Sequence, residues 1–485
     1  MSASGAYETV IGLEVHAQLA TRSKMFCGCP TVFGAAPNSQ TCAICLGMPG
    51  VLPVINRHAV EFAVRTALAF GLRVNVACRF ARKHYYYPDM PKNFQISQYE
   101  EPLAEDGGLE IETPAGGRRI GIQRLHLEED VGKLVHEGDF AAAQASLVDY
   151  NRSGMPLMET VSRPDLRSPE EAAAYLRAFR AVLVNLGVCD GNMEEGSLRC
   201  DANVSLRPVG AAELGTKVEI KNLNSFRNVQ HALEFEVRRQ TEALAAGRRI
   251  VQETRLFDAD RGTTRTMRSK EYAHDYRYFP EPDLVPLRLD PAWVEQVRAG
   301  LPELPQARRQ RFVSQYGLPA YDAEILTQSS ALAAYYEAAV QAHPNAKAIS
   351  NWVMTELLRD LEGADETAVA RSPIAPADLA GLVRLIDDGT ISGKIAKDVF
   401  ARMLAGGGDP AAIVRREGLT QVADAGALEV LVDQAIASNP KAVADFKGGK
   451  VAAAKSLVGQ VMKASGGKAN PAMVDRLVQE KLSRI

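Results

Sequence analysis

Long apolar runs are missing from this sequence. Nowhere in its 485 residues do about 18 apolar residues follow one another, the length a helix needs to cross a bilayer. The opening MSASGAYETV lacks both the basic stretch and the apolar core of a secretory leader, so export is not expected. Cysteine is scarce and odd in number: seven residues in so long a chain argue against a disulfide framework and for a cytoplasmic protein. A Walker A loop is absent too, since DGTISGKIAKD and FKGGKVAAAK both miss the required spacing. Any nucleotide site must therefore be of another kind. The chain also lacks a G-x-S-x-G nucleophile elbow, a Ser-cis-Ser-Lys amidase signature, internal repeats and low-complexity segments. Net charge is low as well, at −3, although it is unevenly spread.

Apolar residues make up 46% of the chain and charged ones 24%, the balance of an ordinary globular protein of several domains. Up to about residue 290, short alternating segments mix with a few helical patterns. RIGIQRLHLEED, RCDANVSLRP and TKVEIKNL read as strands, while HAVEFAVRTALAFGL, SPEEAAAYLRAFRAVLVNLG and NVQHALEFEVRRQTEALAAG read as helices. Ser168 before Pro169 and Glu170 is a helix start: an N-cap, a proline in the first turn, and an acid at the positive end of the dipole. Strands and helices do not alternate strictly, which favours an α+β fold with a largely antiparallel sheet over a doubly wound one.

The proline-rich FPEPDLVPLRLDP makes a stiff connector, and everything after it reads helical. The glycine-rich AGGGDP near residue 408 marks a second break. The expected division is thus 1–290, 291–407 and 408–485. From Asn439 to Ile485, seven lysines and two arginines against Asp445, Asp475 and Glu480 give +6, a basic appendage able to meet polyanions. A Lys-rich solvated helix surface accounts for the same composition.

Several strands carry acids on one face. In VIGLEVHAQL, Leu13, Val15, Ala17 and Leu19 point one way, and Glu14, His16 and Gln18 the other. In RLHLEEDVGK, Arg124, His126, Glu128 and Asp130 share a face opposite Leu125, Leu127, Glu129 and Val131. Arg199, Asp201, Asn203 and Ser205 alternate with Cys200, Ala202, Val204 and Leu206, and Lys217, Glu219 and Lys221 with Val218 and Ile220. Glu159 stands alone in the apolar MPLMETV. Converging carboxylates repel unless a cation joins them, and oxygen-rich ligands with at most one imidazole suit Mg²⁺ or Mn²⁺. Magnesium held this way commonly binds nucleotide phosphates, and Arg124, Arg199, Lys217 and Lys221 would suit the same anion. The alternative is an antiparallel sheet with one charged, solvated face.

FCGCP and TCAICLG place Cys27, Cys29, Cys42 and Cys45 as two close pairs a dozen residues apart, the spacing of a closed Cys₄ zinc site. Free buried thiols are the other reading. Cys78, Cys189 and Cys200 are scattered and read as small buried apolar residues.

The stretches IGLEVHAQL, PNSQTCAICLGMPGVLP, YYYPDMPKNFQISQYEEP, RLHLEEDVGK, MEEGSLRCDANVSLRP, EIKNLNSF and DYRYFPEPDLVPL resemble the GatB family, the B subunits of the aspartyl/glutamyl-tRNA amidotransferases. GGKVAAAKSLVGQVMKASGGKANP resembles the tail that this family shares with the YqeY-like proteins. The likeness covers essentially the whole chain. The related archaeal-type GatE proteins carry a large inserted domain for which this chain has no room.

The resemblance implies an N-terminal cradle domain of glutamine synthetase-like α+β fold, a helical domain and a small YqeY-like tRNA-binding tail. It implies ATP-dependent amidation of mischarged Glu-tRNA(Gln) and/or Asp-tRNA(Asn) in a heterotrimer with the amidase (GatA) and small (GatC) subunits. In such an enzyme the carboxylate is phosphorylated and then aminated by ammonia channelled from the amidase. It further implies that His16, Glu128 or Glu129, and Glu159 hold Mg²⁺, with Glu14, Asp201 and Glu219 lining the same pocket. Lys83, with Tyr85 and Tyr87, matches the phosphate side of the pocket, while a phosphate-neutralising role for Arg199 and Lys221 follows from charge alone. Structural Zn²⁺ falls to the four cysteines. Two rival readings are a free-standing carboxylate–amine ligase acting on a small substrate, and a non-enzymatic tRNA-binding scaffold whose acids are only a wet face.

Overall fold

The computed structural model describes residues 6–113, 116–136, 146–269, 276–361, 366–420, 425–448, 450, 452–465 and 469–484. Asp275 of the DYRYFP motif, and Gly449, Val451 and residues 466–468 of the tail motif, lie outside them. The chain divides into two compact units, Met1–Gln306 and Ala307–Ile485.

The first unit is built on a nine-stranded sheet. In chain order its strands are β1 (Tyr7–Gln18), β2 (Arg73–Val74), β3 (Ala104–Thr113), β4 (Gly116–Glu129), β5 (Pro156–Ser162), β6 (Leu198–Pro208), β7 (Val218–Leu223), β8 (Glu253–Asp258) and β9 (Thr263–Ser269). Their spatial order is β9-β8-β7-β6-β1-β5-β4-β3-β2. Among the described strands of this sheet only β7 and β8 run parallel. The expected α+β class with a largely antiparallel sheet is what the chain adopts.

The alternation in β1 decides which face is covered. Leu13, Val15 and Ala17 are buried among residues of three helices, α1 (Arg57–Ala69), α2 (Pro169–Asn185) and α3 (Phe226–Ala245). These helices begin where the sequence offers caps. The Asn56 side chain accepts from the His58 and Ala59 amides, Ser168 from the Glu171 amide, and Ser225 from the Asn228 amide. Gly107 in β3 lets the turn after α1 come down on the sheet. A Cβ there would lie 2.6 Å from the Phe70 carbonyl oxygen and 2.9 Å from the Leu72 amide nitrogen. With the helices on one face, the polar face of β1 and its neighbours is left for other work.

The proline-rich connector does not hang free. Phe279–Pro280 pair with Arg82 and Ala81, and Leu287–Arg288 with Cys78 and Ala77. Trp293, Val294 and Val297 of the following helix α4 (Pro291–Ala299) then pack into the first core. The unit therefore continues past the compositional break at residue 290, because composition registers chain stiffness and not packing. In the second unit the helices enclose two apolar clusters. One runs from Phe312 to Val414 and the other from Leu428 to Leu482. Ile413 and Val414, just beyond the glycine-rich break at 408, belong to the earlier cluster. Among the described residues, no helix is long and apolar enough to cross a membrane.

Candidate active site

Strand register builds the site. His16 on β1 lies opposite Glu159 on β5, and Glu159 lies opposite His126 on β4. On the other side of β1, His16 faces Arg199 on β6, and Glu14 faces Asp201. One row across four neighbouring strands thus reads Arg199, His16, Glu159, His126. Glu128, two residues from His126, is on the same face.

The distances are those of a common centre. His16 Nε2 is 3.2 Å from Glu159 Oε2 and 3.9 Å from Glu128 Oε1. His126 Nε2 is 3.4 Å from the same Glu159 oxygen and 3.9 Å from Glu128 Oε2. Ser97 donates its hydroxyl to Glu128 Oε2 at 3.1 Å. One ligand atom each from His16, Glu128 and Glu159 lies within 4.8 Å of the others. A hard, oxygen-rich donor set with one imidazole fits a magnesium-sized cation, and the surplus of acids around it supplies the charge.

Electrostatics follow from that crowding. Burial opposes a charged His16, but the Glu159 and Glu128 carboxylates outweigh it and raise its pKa to about 9. His126 is raised by the same balance. Glu159 is itself buried, yet His126 and His16 hold its carboxyl well below the usual range. Glu14 goes the other way: burial first, and then Glu159, Asp201 and Glu219, raise it. The Asn203 side-chain amide donates to Glu14 Oε1 at 3.0 Å.

The structure separates some of the expected residues. Glu129, offered by the sequence as an alternative ligand, is not in the cluster. Its carboxylate is taken by the Lys92 ammonium and by the Ile96 amide at 2.9 Å, on the opposite side of β4. Period-two alternation makes Glu128 and Glu129 face apart, so they cannot both serve one ion. Arg199 and Lys221 already have anionic partners. Arg199 pairs with buried Asp130 at 2.7 Å, to which Gln18 also donates at 2.7 Å. Lys221 pairs with Asp201 and with Glu219 at 3.2 Å, and Thr254 donates to Glu219 at 2.7 Å.

Lys83 is different: among the described residues no carboxylate lies within ion-pair distance of it. Its ammonium sits 5.7 Å and 5.2 Å from the ring centres of Tyr85 and Tyr276. Burial lowers its pKa, but Glu128 leads the neighbours that outweigh this and raise it. A cleft of about 590 Å³ opens beside it, lined by Lys83, Tyr85, Tyr87, Lys221, Thr254 and Tyr276 among others.

His126 and Ser97 were missed by sequence reasoning. His126 shared a face with Glu128 and so was visible in the pattern, but only pairing β4 with β5 brings it to Glu159. Ser97, distant in sequence, gave no signal.

The four cysteines converge as their spacing suggested. Cys27, Cys29, Cys42 and Cys45 bring their sulfurs within 4.8 Å of one another, and none forms a disulfide. In the Cys42–Cys45 turn, the Cys42 amide donates to Cys45 Sγ at 3.1 Å and the Leu46 amide to the Cys42 carbonyl. Gly47, at φ +66°, closes it. Four sulfurs in one locus, with no further His, Asp or Glu ligand among the described residues, fit a tetrahedral four-cysteine metal site. Cys78, Cys189 and Cys200 are buried and lie apart, as expected.

Comparison with known proteins gives one family along nearly the whole chain. The GatB/GatE catalytic domain matches residues 9–295, and the GatB domain matches residues 334–482. A protein of Carboxydothermus hydrogenoformans is 56% identical over 479 residues, covering 99% of both chains. A protein of Moorella thermoacetica is 56% identical over 476 residues, 98% of this chain and 100% of its own. One from Geobacter sulfurreducens is 55% identical over 476 residues. All three carry the name of the B subunit of aspartyl/glutamyl-tRNA(Asn/Gln) amidotransferase.

Proposed function

The chain belongs to the GatB family of amidotransferase B subunits, and on that footing we propose that its sheet carries an ATP-dependent carboxylate-activating site. The substrate is the side-chain carboxylate of Glu on tRNA(Gln), of Asp on tRNA(Asn), or of both. A carboxylate is a poor electrophile because its leaving group would be oxide. Phosphoryl transfer from ATP turns that oxygen into part of a phosphate, and ammonia then displaces the phosphate to leave the amide.

The observation that carries this reading is the in-register row of His16, Glu159 and His126, with Glu128 beside it and Lys83 facing it. His16, Glu128 and Glu159 would hold Mg²⁺, which when bound neutralises phosphate charge. Lys83 supplies a cation toward the transferring phosphoryl group. Arg199 and Lys221 act by holding Asp130, Asp201 and Glu219 in place. Glu14, Asp201 and Glu219 line the same pocket, and Tyr85 and Tyr87 wall its mouth.

The proposed organisation keeps the three expected parts, a cradle, a helical domain and a tRNA-docking YqeY-like tail. The expected breaks at 290 and 408 move to Gln306 and to between Val414 and Leu428, where the packed cores end. The partners are the amidase (GatA), which supplies ammonia through a channel, and the small GatC protein, all working in the cytoplasm. The four cysteines hold structural zinc.

The test is amide formation on Glu-tRNA(Gln) and Asp-tRNA(Asn) by the complex with both partner proteins. Product should require ATP and Mg²⁺, with ADP released in step. Amide formed equally well without ATP overturns the reading.

A further inference from the structure

Lys24 is almost entirely buried, with 1% of its surface exposed, yet among the described residues it makes no ion pair with a carboxylate. Its ammonium has two partners: Cys45 Sγ at 3.6 Å and the Tyr150 carbonyl at 3.3 Å. The backbone around it is fixed at both ends. Its amide donates to the Cys29 carbonyl at 3.0 Å, and the Asn56 side chain donates to its own carbonyl at 3.2 Å. Gly154, at φ +82°, leaves room for the lysine stem beside Cys45. A Cβ there would lie 3.3 Å from Cys45 Cβ and 3.5 Å from Lys24 Cδ. Glu129 Oε2 also approaches that Cβ position, at 3.9 Å, while Glu129 Oε1 is taken by Lys92 and the Ile96 amide.

An ammonium taken out of water needs a compensating anion. Among the hydrogen-bond partners of its ammonium, the Cys45 sulfur is the one able to carry a negative charge. We infer that Lys24 is the counter-charge of the four-cysteine metal site and the positioning donor of an N–H···S hydrogen bond to Cys45. The inference rests on reading the four cysteines as a zinc centre. Four thiolates around Zn²⁺ carry a formal −2, and Lys24 halves that charge on the buried side of the site, where Cys45 lies. The hydrogen bond also withdraws electron density from Cys45 Sγ, making it a weaker nucleophile toward electrophiles that would strip the metal. Lys24 thus acts on retention and inertness of the metal and not on its geometry, which the four sulfurs set.

The experiment uses the full chain in its complex, comparing wild type with Lys24→Met, which keeps the apolar stem and removes the charge and the donor. Zinc transfer to a chromogenic chelator and alkylation of Cys45 by iodoacetamide should each be about tenfold faster in the variant. In cobalt-substituted protein, the sulfur-to-metal charge-transfer band should move to lower energy, because the unbonded thiolate is the richer donor. A general loosening of the fold does not produce that shift. If Lys24→Met does not fold, Lys24→Gln is measured instead; it keeps a donor without the charge and should release zinc faster with a smaller band shift. Wild-type protein that binds no zinc overturns the zinc reading and this inference with it. Zinc held equally inertly, with an unmoved band, in wild type and a folded variant overturns the inference alone.

Discussion

Glu159 is the residue on which the site turns, because its carboxylate is shared by two imidazoles from the strands on either side. On the proposed function, Glu159→Gln keeps the shape and removes a charged ligand. ATP-dependent amidation should fall by at least about a hundredfold, roughly 3 kcal/mol of charge stabilisation. Circular dichroism should show a variant that is still folded, although it melts lower for want of the His16 and His126 pairs. Wild-type turnover in that variant would rule out the ligand assignment. Arg199 calls for a different measurement. Asp130 is buried, and although burial alone would raise its pKa, Arg199 and then Arg152 hold it below the usual range. A carboxyl with a lowered pKa stabilises the fold above the ordinary aspartate range, and that contribution disappears as pH falls through the lowered value. Arg199→Gln should therefore cost about 2 kcal/mol near neutrality, with part of the charge still met by Arg152. The gap between the two proteins should begin to narrow as pH falls below about 4 and close only below the lowered pKa of Asp130, which melting curves against pH will show.

At the level of elements, two devices hold the site together. The cysteine loop is one. Full-length protein prepared without chelators should carry about one zinc per chain, and a Cys42→Ser, Cys45→Ser double variant should carry none. Activity in that variant should fall through lost stability, so it should recover on assay at lower temperature. Elemental analysis finding no zinc in the parent protein would favour free thiols. The glycine in β3 is the other device. Gly107→Ala forces a methyl against the backbone at Phe70 and Leu72. It should lower stability by about 2 kcal/mol without changing metal affinity. If urea midpoints are equal, the sheet and the turn have more freedom to separate than their contacts suggest.

For the molecule as a whole, charge divides the labour: acids gather on the sheet of the first unit, and lysines concentrate at the far end of the chain. The last apolar cluster, from Leu428 to Leu482, begins after Val414 has closed the one before it. Removing residues 425–485 is therefore a cleaner cut than one at the glycine-rich break, which would strip Ile413 and Val414 from the second core. Without the tail, KM for mischarged tRNA should rise and its salt dependence flatten, since lysine–phosphate contacts supply affinity that weakens steeply with salt. The rate at saturating tRNA should change only modestly. An unchanged KM and salt slope would place the docking surface elsewhere.

The sequence by itself determined what local physics controls. Alternation marked the buried face of β1, and the serine at position 168 marked the start of α2. Spacing alone grouped the four cysteines, because a metal loop is closed by neighbours in sequence. Tertiary structure decided what depends on which strands lie side by side. Register, not pattern, put His16, Glu159 and His126 in one row; alternation had already set Glu128 and Glu129 on opposite faces, and the row shows that Glu128 is on the side of the site. Tertiary structure also placed Asp130 against Arg199 and buried Lys24 beside Cys45. Each of these is a long-range pairing of charges, and charge carries no periodicity by which a single strand could announce its partner.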